Sequence, residues 1–302
     1  MFSVVIPTYN RKKSLIETLK AFSRQTFKDF EVVIIDDGSS DGTKEAIDKS
    51  NFSFKIRYFL QENKGPAAAR NRGIGEARNK IIFFTDADII PCPELLAEHF
   101  ESHKKGGENL TVLGYMEWDP RIKLTPFRKY IANYHLAYPR IKDENNVEFG
   151  FFYTGNISAY KSFLIKGGFF DETFPYAAYE DTEFSYRLHK MGMKMILNKK
   201  AFAYHNHPID FKSYQKTVIN RGESAVVLVQ KVPVLKRKAS YKETKNPFRY
   251  FFKKTILNDF SVPVLVNIIC FLDKLMVPLP NIFYSKIMDY HRVKGIKQAN
   301  EK

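Results

Sequence analysis

The chain has 302 residues, 44% hydrophobic and 27% charged, enough for one large core and a smaller unit. Its net charge of +15 points to an anionic partner: nucleotide phosphates, nucleic acid or a lipid surface. Two cysteines, Cys92 and Cys270, exclude a disulfide framework and a cysteine-bound metal; they predict a reducing compartment, with each thiol a small buried apolar residue. Residues 2–6 read as a short strand stopped by Pro7, with no basic and apolar leader ahead of it. Residues 12–25 carry Leu15, Leu19 and Phe22 at i, i+4 and i+7, which predicts a helix. Residues 31–35 form a second buried strand ending in Asp36-Asp37-Gly38-Ser39, with Ser40 and Asp41 as N-cap candidates for the next helix. A third strand at 54–59 leads to Asn63-Lys64-Gly65-Pro66 and a helix over 67–77. A fourth strand, 81–84, runs into Asp86 and Asp88. Alternating strands and helices mean βαβ units and an α/β fold with a mostly parallel central sheet. Right-handed crossovers gather residues 7–11, 36–39 and 86–88 on one sheet edge.

A helix to about 104 should follow Pro93, with Leu95, Leu96, His99 and Phe100 inward and Gly106-Gly107 closing it. Next come a strand at 110–114, an aromatic helix over 126–138, a strand over 149–157 and a short helix at 161–166. Residues 179–192 predict a helix with Phe184, Leu188 and Met191 as its stripe and Glu180-Asp181 at its start. Strands at 193–197 and 201–204 lead to His205-Asn206-His207-Pro208. From about 210 the βαβ grammar ends. One helix covers 211–231, followed by Lys236, Arg237, Lys238, Lys242, Lys245, Arg249, Lys253 and Lys254 among Tyr241, Phe248, Tyr250, Phe251 and Phe252. The apolar stretch 262–279 is broken by Asp273, Lys274 and prolines, so no helix should span a membrane. The expected domains are 1–210, α/β, and 211–302, a basic and aromatic helical extension.

Asp86 and Asp88 are spaced i, i+2, which in an extended segment turns both carboxylates to one side. Their repulsion is relieved by a divalent cation, Mn²⁺ or Mg²⁺, which also takes oxygens from a substrate phosphate. Thr8 and Asp36, at neighbouring strand ends, offer a hydroxyl and a carboxylate to a base edge and ribose. Gly65 allows close backbone approach, and Arg70 offers charged hydrogen bonds to a nucleotide. Gly73 and Gly75 follow a helix rather than a strand and are not a dinucleotide fingerprint. An acidic pair at a helix N-terminus is by itself an ordinary first turn.

Five segments together resemble family 2 glycosyltransferases: Val4-Val5-Ile6-Pro7-Thr8-Tyr9-Asn10-Arg11, Asp36-Asp37-Gly38-Ser39, Asn63-Lys64-Gly65-Pro66-Ala67-Ala68-Ala69-Arg70-Asn71, Thr85-Asp86-Ala87-Asp88 and Glu180-Asp181. The resemblance covers roughly residues 1–210 and implies the GT-A (Rossmann-like) fold with a nucleotide-diphosphate sugar, a UDP-sugar, as donor. It assigns donor binding to Pro7, Thr8, Tyr9, Asn10 and Asp36. Asp86 would contact ribose and metal, and Asp88 the metal. His205 or His207 would supply the remaining ligand, with His205 chosen; carboxylates with one imidazole suit Mn²⁺ somewhat better than Mg²⁺. Asp181 resembles the family's base and Glu180 a supporting residue, in an inverting transfer to a glycan or lipid-linked acceptor. The Gln-x-x-Arg-Trp signature of processive synthases is absent, since Trp118 lies upstream of the acidic pair. Transfer of one or a few sugars is therefore expected. Acceptor recognition is expected within 115–155 and in the tail, and the tail should hold the enzyme on the cytoplasmic face of an anionic membrane. A nucleotidyltransferase would carry a Gly-rich basic loop where Pro7-Thr8-Tyr9-Asn10 stands. A nucleic-acid-binding protein fits the charge and the tail, but no such module is visible, so nucleic acid is not the expected partner.

Overall fold

The computed structural model describes residues 1–135, 137–236, 239 and 257–301. In chain order the elements are β1 (Phe2–Thr8), α1 (Lys12–Phe22), β2 (Phe30–Asp36), α2 (Thr43–Asp48), β3 (Lys55–Leu60), α3 (Pro66–Glu76), β4 (Ile81–Thr85), β5 (Ile89–Pro91) and α4 (Leu95–His103). There follow β6 (Leu110–Trp118), α5 (Pro126–His135), β7 (Asn156–Tyr160), α6 (Lys161–Lys166), α7 (Glu180–Lys190), β8 (Lys194–His205), α8 (Phe211–Lys231), α9 (Ser261–Lys274) and α10 (Asn281–Asn300). Two compact units result: residues 1–120, 137–173 and 180–207, and residues 121–136, 174–179 and 208–302.

The first unit holds one sheet of order β3-β2-β1-β4-β7-β6-β8-β5. β1 pairs parallel with β2 and β4, and β2 pairs parallel with β3. β7 is antiparallel to both β4 and β6, and β8 runs parallel to β6. The expected class, α/β with a mostly parallel sheet flanked by helices, is what forms. α1 buries Leu15, Leu19 and Phe22 as its spacing requires. α3 lies close on β1 because Gly73 has no Cβ: one placed there would meet Val5 Cγ1 at 2.2 Å.

Several local expectations are corrected. α2 begins after Gly42, whose φ of 79° makes it the cap, so Ser40 and Asp41 lie outside. Residues 149–151 form a 3₁₀ turn, and the strand starts only at Asn156. The two strands expected at 193–197 and 201–204 are one, β8, which absorbs a register shift beside Gly114 and Tyr115. Met191 falls beyond the end of α7 and is exposed, leaving Phe184 and Leu188 as the buried stripe. Cys92 and Cys270 are half-buried free thiols, and burial raises the pKa of each.

In the second unit, α8 and α10 meet through glycine. A Cβ on Gly222 would lie 2.3 Å from Arg292 O, and one on Gly295 would lie 2.1 Å from Ile219 O. Asp273 of α9 accepts from the Phe127 N–H at the start of α5, 2.7 Å away. Of the basic and aromatic run, Lys236 is exposed. Arg237, Lys238, Lys242, Lys245, Arg249, Lys253 and Lys254, with Tyr241, Phe248, Tyr250, Phe251 and Phe252, lie outside the described residues. Among the described residues no helix is long and apolar enough to cross a membrane.

Candidate active site

The parallel strands β1, β2 and β4 end on one sheet edge, and Thr8 stands in register with Asp36. Asp36 is buried; its Oδ1 accepts from the Ser39 N–H at 2.7 Å and its Oδ2 from the Tyr58 hydroxyl at 2.5 Å. Burial, then Asp36, push the Tyr58 phenol well above its ordinary pKa, so it stays a donor. Asp37 pins the loop ahead of α3, accepting from Gln61 Nε2 at 2.8 Å, Lys64 N at 2.9 Å and Gly65 N at 2.8 Å. Gly65 has φ of 88°, and an added Cβ there would meet nothing within 4 Å, so backbone conformation rather than crowding demands glycine.

The loop of Pro7, Thr8, Tyr9 and Asn10 is laced to this turn. Asn10 sits at φ 51°, a left-handed position that Asn tolerates. Its N–H donates to Ser39 Oγ, and its Oδ1 accepts from Ser40 N–H, both at 2.8 Å. Tyr9 is half exposed. Thr8 Oγ1 is buried without a hydrogen-bond partner among the described residues.

Asp86 and Asp88 do not share one extended face. β4 ends at Thr85 and the chain turns, with Ile89 N–H donating to Asp86 O at 3.2 Å and the Thr18 hydroxyl holding Ala87 O at 3.1 Å. The two carboxylates therefore meet different partners. Asp86 Oδ1 accepts from Arg70 Nη2 at 3.1 Å, and Arg70 Nη1 donates to Glu180 Oε1 at 3.0 Å. Arg70 is 5% exposed. Burial alone would lower its pKa, but Asp86, Glu180 and Asp181 raise it, so it is a fixed cation between acids. The guanidinium that the sequence pointed toward a nucleotide is engaged here by carboxylates.

Asp88 faces the histidines. β5 sets Ile89 opposite His205, and Asn206 N–H donates to Asp88 O at 2.8 Å. His205 Nε2 lies 3.6 Å from Asp88 Oδ1, and His207 Nδ1 lies 3.0 Å from Oδ2. Burial would raise the Asp88 carboxyl, but the two imidazoles hold it far below the usual carboxylate range. Trp118, His205 and His207 form a stack, with ring centroids 5.4 and 5.8 Å apart. Arg11 Nη1 approaches His207 Nδ1 to 3.1 Å and Asp88 Oδ2 to 3.8 Å. That nitrogen of His207 thus answers to a donor as well as a carboxylate. One anionic carboxylate with adjacent imidazoles is a donor set that suits Mn²⁺ or Mg²⁺. Among the described residues no three such groups already stand at a common metal-binding spacing. Asp86 belongs to the Arg70 network.

Glu180 and Asp181 open α7. Glu180 is buried, and its Oε2 has no hydrogen-bond partner among the described residues. Burial first, then the neighbouring Asp181, push its carboxyl up to about 7 against the pull of Arg70. Asp181 is half-buried, and its Oδ1 accepts from Thr182 N–H at 2.6 Å and from the Thr182 hydroxyl at 3.2 Å. Sequence reasoning gave no role to Tyr58 or Arg11. Tyr58 is placed by the β2–β3 pairing, and Arg11 was visible only as the last residue of the first motif.

Residues 3–168 match the family described as glycosyl transferase family 2. The chain is 28% identical over 268 residues to chondroitin synthase of Escherichia coli, covering 78% of this chain and 39% of that protein. It is 31% identical over 229 residues to validoxylamine A glucosyltransferase of Streptomyces hygroscopicus subsp. jinggangensis, covering 67% of this chain and 54% of the relative. The chain thus spans well under two thirds of either relative. Among solved structures it is similar to the mannosyltransferase PcManGT from Pyrobaculum calidifontis in complex with GDP-Man and Mn²⁺, with a TM-score of 0.64 at 18% identity over 99% of this chain and 86% of that one. S. aureus TarS 1-349 in complex with UDP-GlcNAc gives a TM-score of 0.58 at 18% identity, covering 99% and 91%. These neighbours share the GT-A fold. On the strength of the family match across more than half its length, the chain belongs to glycosyl transferase family 2.

Proposed function

We propose that this chain is an inverting, metal-dependent glycosyltransferase. It moves one or a few sugars from a nucleotide-diphosphate sugar, a UDP-sugar in our reading, to a hydroxyl of a glycan or lipid-linked acceptor in cell-surface polysaccharide or glycolipid synthesis. The observation that carries the reading is Arg70, which joins Asp86 after β4 to Glu180 at the start of α7 and so links two of the motif acids. The sugar nucleotides bound by the two structural neighbours support the donor class.

In this reading Asp181 takes the proton from the acceptor hydroxyl as its oxygen attacks the anomeric carbon opposite the leaving diphosphate. An acidic side chain is favourably placed at the start of a helix. Glu180, held by Arg70, orients the acceptor. Pro7, Thr8, Tyr9, Asn10 and Asp36 receive the base and ribose, with the buried Thr8 hydroxyl as one contact, and Gly65 admits the donor close to the backbone. Asp88 and His205 would hold Mn²⁺ or Mg²⁺, which when bound supplies Lewis-acid stabilisation of the departing diphosphate, while Asp86, held by Arg70, faces the ribose. We further place the enzyme peripherally on the cytoplasmic face of an anionic membrane. A screen of sugar nucleotides with Mn²⁺, read as released nucleotide, tests the reading. Release from one UDP-sugar, stimulated by acceptor, supports it; no release from any sugar nucleotide contradicts it.

A further inference from the structure

The second unit has an apolar face that its own core does not use. Within α9, Val262, Val266 and Ile269 are buried. On another side Val264, Ile268, Phe271 and the C-cap Leu275 succeed one another at i, i+4, i+7 and i+11, exposed by 54%, 49%, 61% and 58%. The chain then turns into α10, whose first turn exposes Ile282 and Phe283. Large apolar side chains left exposed along one helix face mark an interaction site.

Charge identifies the occupant. The exposed charged residues between Phe260 and Lys286 are Lys274 and Lys286. The acid in α9, Asp273, is turned inward to the Phe127 N–H. Asp259, ahead of the helix, accepts from Lys294 at 2.9 Å and from the Tyr290 hydroxyl at 2.5 Å. In sequence the patch follows residues 236–254, rich in Lys and Arg with Glu243 as their one acid. We propose that this face inserts into the headgroup region of an anionic lipid bilayer. Ile268, Phe271 and Phe283 anchor it among the acyl chains, while Lys274 and Lys286 meet the lipid phosphates. An apolar stripe bordered by cations complements a surface that is apolar within and anionic at its rim. At 14 residues α9 is too short to span, so it lies in the interface plane.

The inference gives a surface to the peripheral placement above and rests on that placement, but not on the chemistry. The test uses the full chain and vesicles of phosphatidylglycerol with phosphatidylcholine, against phosphatidylcholine alone. The Phe271→Trp variant should show a blue-shifted emission on adding anionic vesicles. The Ile268→Asn/Phe271→Asn/Phe283→Asn variant should sediment with them about tenfold less than the wild type or weaker still, with unchanged thermal melting. Vesicle binding by charge without a blue shift, or equal sedimentation of wild type and triple variant, overturns insertion. A wild-type dimer that the triple variant converts to monomer assigns the face to a second copy and likewise overturns it. Nucleotide release in vesicle-free solution should be the same in both proteins. If neither releases nucleotide, the transferase reading fails while the vesicle result stands.

Discussion

Arg70, buried in α3, donates to the Glu180 carboxylate at 3.0 Å, and both side chains are only 5% exposed. The same guanidinium holds Asp86, 39% exposed, at 3.1 Å. Removing the cation leaves Glu180 Oε1 without its donor, and an unsatisfied buried polar group typically costs about 1–3 kcal/mol. Arg70→Met should lower the urea midpoint accordingly. Arg70→Lys, which keeps charge but not the two-pronged geometry, should fall between. Equal stability of all three would mean that the bridge is not a structural link.

Glu180 also predicts a pH dependence. Its carboxyl is raised from 4.5 to about 7 by burial and Asp181. Between those values the folded chain holds a proton that the unfolded chain has released. This group therefore lowers stability as pH rises through that window. Glu180→Gln removes the titration, so its stability should change less between pH 5 and 7, as read from urea midpoints (about pH 5–7 is the accessible part of the window). Its effect on turnover should be milder than that of Asp181→Asn.

Helix α4, packed on the sheet, carries a second titrating set with the opposite slope. His99 Nδ1 lies 2.8 Å from Ser158 Oγ and His99 Nε2 lies 2.9 Å from Asn156 Oδ1. His103 Nε2 approaches the same Ser158 oxygen at 2.7 Å. Burial lowers His99 from 6.5 to about 4, and burial with His99 beside it lowers His103 to about 3. The unfolded chain binds protons first, so stability is full above pH 6.5 and is lost as pH falls toward 4. Each pKa unit corresponds to about 1.4 kcal/mol. His99→Gln should be less stable at neutral pH yet lose less on acidification, in urea titrations from neutral to mildly acid pH.

Much of the fold was legible because its signals are local. The i, i+4, i+7 spacing of Leu15, Leu19 and Phe22 made α1 visible, and α8 runs over the expected residues, Phe211–Lys231. What escaped depends on pairing over long sequence distances. β5 has three residues and no periodicity of its own, yet it sets Ile89 opposite His205 and so brings Asp88 beside the imidazoles. The i, i+2 rule for Asp86 and Asp88 failed because the chain turns at Asp86 instead of continuing extended. The residues of the strand expected from Phe149 form a 3₁₀ turn first, and β7 begins at Asn156, opposite Thr85. Arg70 could be singled out as a charged donor, but its link to Glu180 spans 110 positions and no local pattern encodes it.

Metal dependence should run through Asp88. Asp88→Ala should abolish the Mn²⁺-dependent part of UDP binding, measured by calorimetry with and without metal, along with nearly all turnover. A chelator should do the same to the wild type. Because Arg11 shares His207 Nδ1 with Asp88, His205→Ala should lose more metal response than His207→Ala. Transfer that continues unchanged in chelator contradicts this assignment.

The central claim is that Asp181 serves the acceptor proton while Asp88 and the β1–β2 edge serve the donor. General-base help is typically worth about 10²–10⁴-fold, and it acts on the transition state more than on donor binding. The direct measurement is kcat for acceptor-dependent nucleotide release by Asp181→Asn, beside its affinity for UDP with Mn²⁺. The account predicts a fall in kcat of about 10²-fold or more, with nucleotide affinity and thermal melting close to wild type. Near-normal kcat in Asp181→Asn, or a loss of donor affinity in step with kcat, would contradict it.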